Sequence, residues 1–174
     1  MTSYFNVTAP LVVACIDGGD DGDRALRYAT GEATRRGTGL RLVHVPMEFL
    51  PYAPVTPLYK MPNLHEVGAS ILKDALDRAL ELAPDLYVDG ALATGGRVSA
   101  IVEESATAAC VVVGTRAWRF YRTFGGSTSA GVAARAACPI IAVPPSWADV
   151  TGPGKVVVGV DSDGGPSVVL ERGF

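Results

Sequence analysis

The sequence predicts an α/β domain: a doubly wound, open, five-stranded parallel sheet of order 3-2-1-4-5 with helices on both faces, plus an extra C-terminal strand. Three observations carry this. Short, almost wholly apolar runs such as PLVVACID, LRLVHV, ACVVVGT and PIIAVPP read as strands buried on both faces. Stretches with a helical period separate them, so strand and helix alternate. The chain has 174 residues, enough for one such domain with a full core and too few for two. Right-handed crossovers leave few strand orders, of which 3-2-1-4-5 is a common one.

The elements follow in order. Pro10–Asp17 is an apolar run closed by an acid, the first strand. DRALRYATGEATRRG is a helix with Ala25, Leu26, Ala29 and Ala33 on one face and Gly37 as its stop. Leu40–Val45 is the second strand, with His44 as a packed core histidine. The stretch PMEFLPYAPVTPLYKMP carries a proline every few residues and reads as a long loop. A helix from about Asn63 to Ala83 has Val67, Ile71, Ala75, Ala79 and Leu82 as its inner stripe. LYVDGALAT is a third, weaker strand. RVSAIVEESAT is a helix with Val98, Ile101, Val102 and Ala106 inward and Glu103 and Glu104 on a solvated face. ACVVVGT is the fourth strand, STSAGVAARAAC a helix of small residues, and PIIAVPP the fifth strand.

A repeat alters this organisation. VVVGVDSDGGPSVVLERGF matches VVACIDGGDDGDRALRYAT in register, with Val156 on Val12, Val160 on Ile16 and Asp161 on Asp17. Residues 1–145 therefore read as one domain, 146–155 as a linker and 156–174 as the start of a second, truncated copy. The fifth strand is an unprotected apolar edge, so a homodimer, or pairing with a second domain copy, is expected.

Composition narrows the function. A net charge of −3 argues against non-specific nucleic-acid binding, which needs a basic surface. No apolar run is long enough for a membrane span, and MTSYFNVTAPLVVAC lacks the basic start of a signal peptide, so a cytoplasmic protein is expected. Cys15, Cys110 and Cys138 read as buried free thiols. Two distant histidines, neither near a cysteine pair, make a structural metal site improbable.

Charge also orients a ligand. In this strand order the crevice lies beyond the ends of strands 1 and 4, at Asp17 and Gly114. The turn DGGDDGD holds Asp17, Asp20, Asp21 and Asp23, each repelling a phosphate by on the order of a kcal/mol. After strand 4 come Arg116, Arg119 and Arg122, then Gly125–Gly126, with Ser127, Thr128 and Ser129 opening a helix whose free N–H groups favour anions. A nucleotide would lie with its phosphates at 126–129 and its base near Asp17.

These motifs resemble a universal stress protein domain over nearly all of the first 145 or so residues. The matching stretches are VVACIDGGDDGDRALRYA, LRLVHV, GGRVSAIVEESATAACVVVGTRA and GGSTSAGVAARAACPIIAVPP; the second start at Val156 resembles the tandem form of that family. The resemblance implies an ATP-binding crevice, with Mg²⁺ accompanying ATP, lined by Cys15, Asp17, Val43, Val113, Gly114, Ala117, Gly126, Ser127, Thr128 and Ser129. Asp17 and Val43 would meet adenine; Gly126, Ser127 and Thr128 would meet phosphate. The nucleotide-binding branch spaces its glycines as Gly, two residues, Gly, nine residues, Gly-Ser/Thr. Here Ala117 replaces the second glycine, and the stretch to Gly126 is one residue short.

Each of these residues also has a plain structural reading. Asp17 is a helix cap, Gly126–Ser127 an ordinary turn, and the three arginines a solvated face. Trp118, Phe120, Tyr121 and Phe124 suit a plug or a contact surface. Two readings stand: a regulatory, non-catalytic ATP-binding module with at most slow ATPase activity, or a non-binding dimerisation or scaffold domain whose crevice is closed by the 117–125 loop. A third, a pyrophosphatase-type enzyme, rests on a faint likeness of IDGGDDGD to an SGGxDS loop. No Walker, dinucleotide or nucleophile-elbow motif is present.

Overall fold

The computed structural model describes residues 9–46, 63–115, 128–148 and 157. Its elements are β1 (Val12–Cys15), α1 (Asp20–Arg36), β2 (Leu40–His44), α2 (Leu64–Leu82), β3 (Val88–Leu92), α3 (Arg97–Ser105), β4 (Cys110–Gly114), α4 (Thr128–Ala133) and β5 (Ile140–Val143). All four strand pairings are parallel and the order is β3-β2-β1-β4-β5, as the sequence implies. The 46–62 loop beyond Pro46 and the repeat at 156–174, apart from Val157, lie outside the described residues.

Side chains alternate across the central strands, so each strand feeds two cores. Val12, Ala14, Leu40, Leu42, Cys110 and Val112 face α1 and α2, meeting Leu26, Ala29, Leu72 and Ala79. Val13, Val43, Val111 and Val113 face α3 and α4, meeting Ala100, Ile101 and Val132. Burial on both faces is what makes these strands read as unbroken apolar runs, each large side chain contributing about 1.5–3 kcal/mol.

Helix ends obey local chemistry. Gly37 takes a left-handed conformation (φ 64°) and its region returns N–H groups to Ala33 and Thr34, closing α1. Asn63 caps α2 by accepting from the His65 N–H at 3.1 Å.

Four sequence expectations change. Of the expected α2 stripe, Ala75 and Ala79 are buried and Ile71 packs beside the core, but Gly68 and Leu72 complete the buried face while Val67 and Leu82 are exposed. Small residues explain the rotation: Leu72 seats on Gly90, and Gly68 lies so near His44 and Pro46 that a Cβ would stand 3.1 Å from each. On α3, Ala100, Ile101 and Ser105 are buried and Ala106 is exposed. Glu104 is not merely solvated; it accepts from Arg41 Nε at 2.8 Å, and Arg41 Nη1 donates to Asp89 at 2.8 Å, joining α3, β2 and β3. Finally, Trp147, placed in the linker, packs edge-on to Tyr28 (centroids 5.6 Å) with the Arg27 guanidinium over its ring, so the chain after β5 folds back on α1.

None of the three cysteines forms a disulfide; Cys110 is buried, whereas Cys15 and Cys138 are half-buried. The rotated stripe has a direct check. Leu72→Ala is expected to lower the unfolding free energy by about 2–3 kcal/mol. Val67→Ala is expected to cost under about 0.5 kcal/mol in the same urea titrations. The opposite ranking would return Val67 to the core.

Candidate functional site

The strand order reverses between β1 and β4. β1 and β4 lie side by side, with Val12, Val13 and Ala14 opposite Cys110, Val111 and Val112, and the helices that follow them, α1 and α4, pack on opposite faces of the sheet. Asp17 follows the end of β1, and Gly114 ends β4.

Asp17 is a helix cap. Its Oδ1 accepts from the Gly19 N–H at 3.0 Å and the Gly22 N–H at 3.1 Å, two donors at the open end of α1. The formal cap position is Gly19, which has no side chain, so Asp17 does this from two residues upstream. Two glycines make it feasible. Gly18 has φ +79°, and a Cβ on Gly22 would lie 2.6 Å from Asp17 Oδ1 and 2.8 Å from the Asp17 nitrogen.

The acids beside it are largely offset. Asp20, Asp21 and Asp23 occupy the first turn of α1, where the helix dipole favours them. Asp21 is paired with Arg24, and Asp23 with Arg78 of α2 at 2.5 Å and Arg27 at 3.8 Å. The formal charge of this turn overstates its field, and with these arginines present the repulsion of a phosphate is correspondingly smaller.

Gly114 is explained by packing. A Cβ there would stand 2.0 Å from the carbonyl oxygen of Asp21, so the first turn of α1 rests directly on the end of β4. Thr115 is then held by its N–H (2.9 Å) and Oγ1 (3.2 Å), both on the Val143 carbonyl of β5.

The remaining predicted residues divide by position. Val43 and Val113 are buried in the α3/α4 core. The Val43 carbonyl accepts the Ile16 N–H at 2.9 Å, so its backbone acceptor serves the ladder. Strand alternation makes Val45 the next residue facing β1, beyond the last ladder pair Cys15–Val43. Cys15 packs against the same core, and burial, with the Glu104 carboxylate adding to it, pushes its thiol up to about 12. Thr128 and Ser129 open α4 and are half-buried. Ala117, Gly126 and Ser127, with the arginines and aromatics of that loop, lie outside the described residues.

Two further residues lie near the strand ends, His44 and Arg24. His44, buried at the end of β2, places Nδ1 2.7 Å from the Ile16 carbonyl, which fixes that nitrogen as the donor. This is the packed histidine the sequence suggested. Arg24, only 13% exposed, reaches across from α1 to the end of β4. Its only sequence signal is a charge at a half-inward helix position. A depression of about 370 Å³ lined by Pro10, Leu11, Arg41 and Glu104 lies at the opposite ends of the strands, away from the switch point. Among the described residues there is no cluster of three or more metal-ligating side chains, and no helix is long and apolar enough to cross a membrane.

Residues 11–144 match the family model described as the universal stress protein family. A curated universal stress protein of Mycolicibacterium smegmatis is 30% identical over 135 residues, covering 77% of this chain and 45% of that protein. The chain thus spans about half the length of that relative. Among solved structures, a universal stress protein in complex with cAMP aligns with a TM-score of 0.59 at 24% identity, over 77% of this chain and 96% of that one. The universal stress protein from Archaeoglobus fulgidus in complex with dAMP gives 0.56 at 23% identity, over 79% and 98%.

Two measurements probe the site without any ligand. Gly114→Ala is expected to destabilise the nucleotide-free protein by about 1–3 kcal/mol, because its methyl meets backbone. An unchanged urea midpoint would mean that the glycine is there for something other than α1. The Cys15 thiol titrates at about 12 folded against 9.0 ordinarily, so its contribution to stability is complete below the ordinary value and is lost as pH rises toward 12. Urea titrations of the wild type should show that alkaline loss, and Cys15→Ala should show less of it.

Proposed function

Since the chain belongs to the universal stress protein family, we propose that it is a regulatory module that binds an adenine nucleotide, ATP, in the crevice between β1 and β4, without turning it over. The observation that carries this is the switch point itself. Asp17 follows β1, Val45 follows β2 and Gly114 ends β4, all at the same end of the parallel sheet, and α4 opens with Thr128 and Ser129 after β4. Two solved proteins of the same fold hold cAMP and dAMP, which share an adenine and a phosphate with ATP.

In this reading the adenine edge meets the backbone of Val45, which takes over from Val43, beside Asp17. Cys15 and Val113 form the apolar floor, and Gly114 keeps it shallow. Phosphates lie toward Gly126, Ser127, Thr128 and Ser129, with Mg²⁺ as their counter-ion. A nucleotide bound there touches both the start of α1 and the start of α4, so occupancy biases how those two elements sit. No general acid–base pair is assigned, and function rests on occupancy.

One specific observation favours the second reading, a scaffold domain that binds no nucleotide. Asp17 and Gly114 are both fully accounted for by the seating of α1, and Ala117 stands in place of a motif glycine. In either reading the module associates through its β5 edge, with a second copy of the chain or with the repeat that starts at Val156. The half-length coverage of the curated relative supports a tandem arrangement, and free thiols support a cytoplasmic setting.

Calorimetric titration with ATP, AMP, cAMP and GTP decides between the two. The nucleotide reading expects a dissociation constant of about 1 µM to 1 mM for the adenine compounds and weaker binding of GTP. Absence of heat, and of any rise in melting temperature, at millimolar ATP leaves the scaffold reading.

A further inference from the structure

We propose that Arg24 is a positioning residue of the crevice, setting the height of the Gly114–Thr115 step on which a ligand would rest. Its guanidinium is among the least exposed charged groups of the described residues, at 13% exposure. Nη2 is shared between the Asp21 carboxylate and the Thr115 carbonyl, the latter at 3.4 Å. Nε is buried and has no hydrogen-bond partner among the described residues. Burying a guanidinium with a donor unused is unfavourable, so its neighbours must hold it there.

The geometry shows what it holds in turn. Thr115 is gripped from β5 through its N–H and Oγ1 on the Val143 carbonyl. Arg24 grips the same residue from α1, through its carbonyl. Asp21 supplies both the counter-charge for Arg24 and the carbonyl that presses on Gly114. One turn of α1 therefore sets the end of β4 from two sides: steric contact at Gly114 and a charged hydrogen bond at Thr115. The pair Arg24–Asp21 is close to neutral overall, so its effect on a ligand is one of placement and not of attraction.

Arg24→Gln and Arg24→Lys test this, with Arg35→Gln as control because Arg35 is 68% exposed at the far end of the same helix. Amide hydrogen exchange on the nucleotide-free protein is the first readout. The Thr115 N–H, which is bonded to the Val143 carbonyl, should exchange about tenfold faster in Arg24→Gln, because releasing the Thr115 carbonyl from Arg24 loosens the residue that carries it. Val111 of the same strand, whose N–H donates to Pro139, should keep its rate. Lysine should restore part of the protection. Equal acceleration at Thr115 and Val111 would reduce Arg24 to a general stabiliser, and no change at Thr115 would also overturn the proposal.

The second readout rests on the nucleotide reading. Adenosine and ATP should lose affinity by the same factor in Arg24→Gln, since a positioning residue does not see the phosphates. A loss confined to ATP would make Arg24 a direct phosphate contact and overturn the assignment. If the wild type binds neither compound, the nucleotide reading fails, and hydrogen exchange alone decides the role of Arg24.

Discussion

The first turn of α1 sits on the end of β4 with no side chain between them, and most of the site follows from that contact. At Gly114 the space for a Cβ is taken by the Asp21 carbonyl. Such an approach needs a helix that begins at one definite residue, because a shift of one position would bring a different group onto the strand. Asp17 provides that definition by binding the Gly19 and Gly22 N–H groups, and Gly22 leaves room for its carboxylate. Cap, glycine spacing and strand end form a single steric unit.

That unit changes how the acidic turn is understood. Read as a string, DGGDDGD is a concentration of negative charge. Folded, Asp17 is spent on backbone donors, Asp21 on Arg24, and Asp23 on Arg27 and Arg78. The helix dipole favours the remaining acid in the first turn. What faces the crevice is therefore set less by formal charge than by which carboxylate oxygens already have partners. Any ligand at these strand ends would therefore meet shape and backbone groups more than unpaired carboxylate charge.

The same economy governs the sheet. Its central strands are buried on both faces, so their sequences are uniformly apolar and easy to recognise. β3, at the edge, has no fully buried residue and carries Asp89 and the exposed Gly90, which is why it reads weakly. The ion-paired group Arg41, Asp89 and Glu104 lies where β2, β3 and α3 meet; its members stand 48 and 63 residues from Arg41 along the chain. No local pattern announces such a group.

Apart from the start of α1, which folds from Asp20 and not Asp23, the amino-acid sequence by itself determined the alternation of strands and helices, the strand order and the end of α1 at Gly37. These follow from hydrophobic period, cap chemistry and crossover handedness, all of which act over a few residues or one connection. Tertiary structure decided the rest. It turned α2 so that Gly68 and Leu72 face the sheet in place of Val67, because close seating on His44 and Gly90 outweighs the burial of one valine. It brought Arg24 to Thr115 across 91 residues, engaged the Val43 carbonyl in the ladder, and drew Trp147 onto Tyr28. Each of those outcomes depends on which surfaces meet, and a linear pattern carries no term for that.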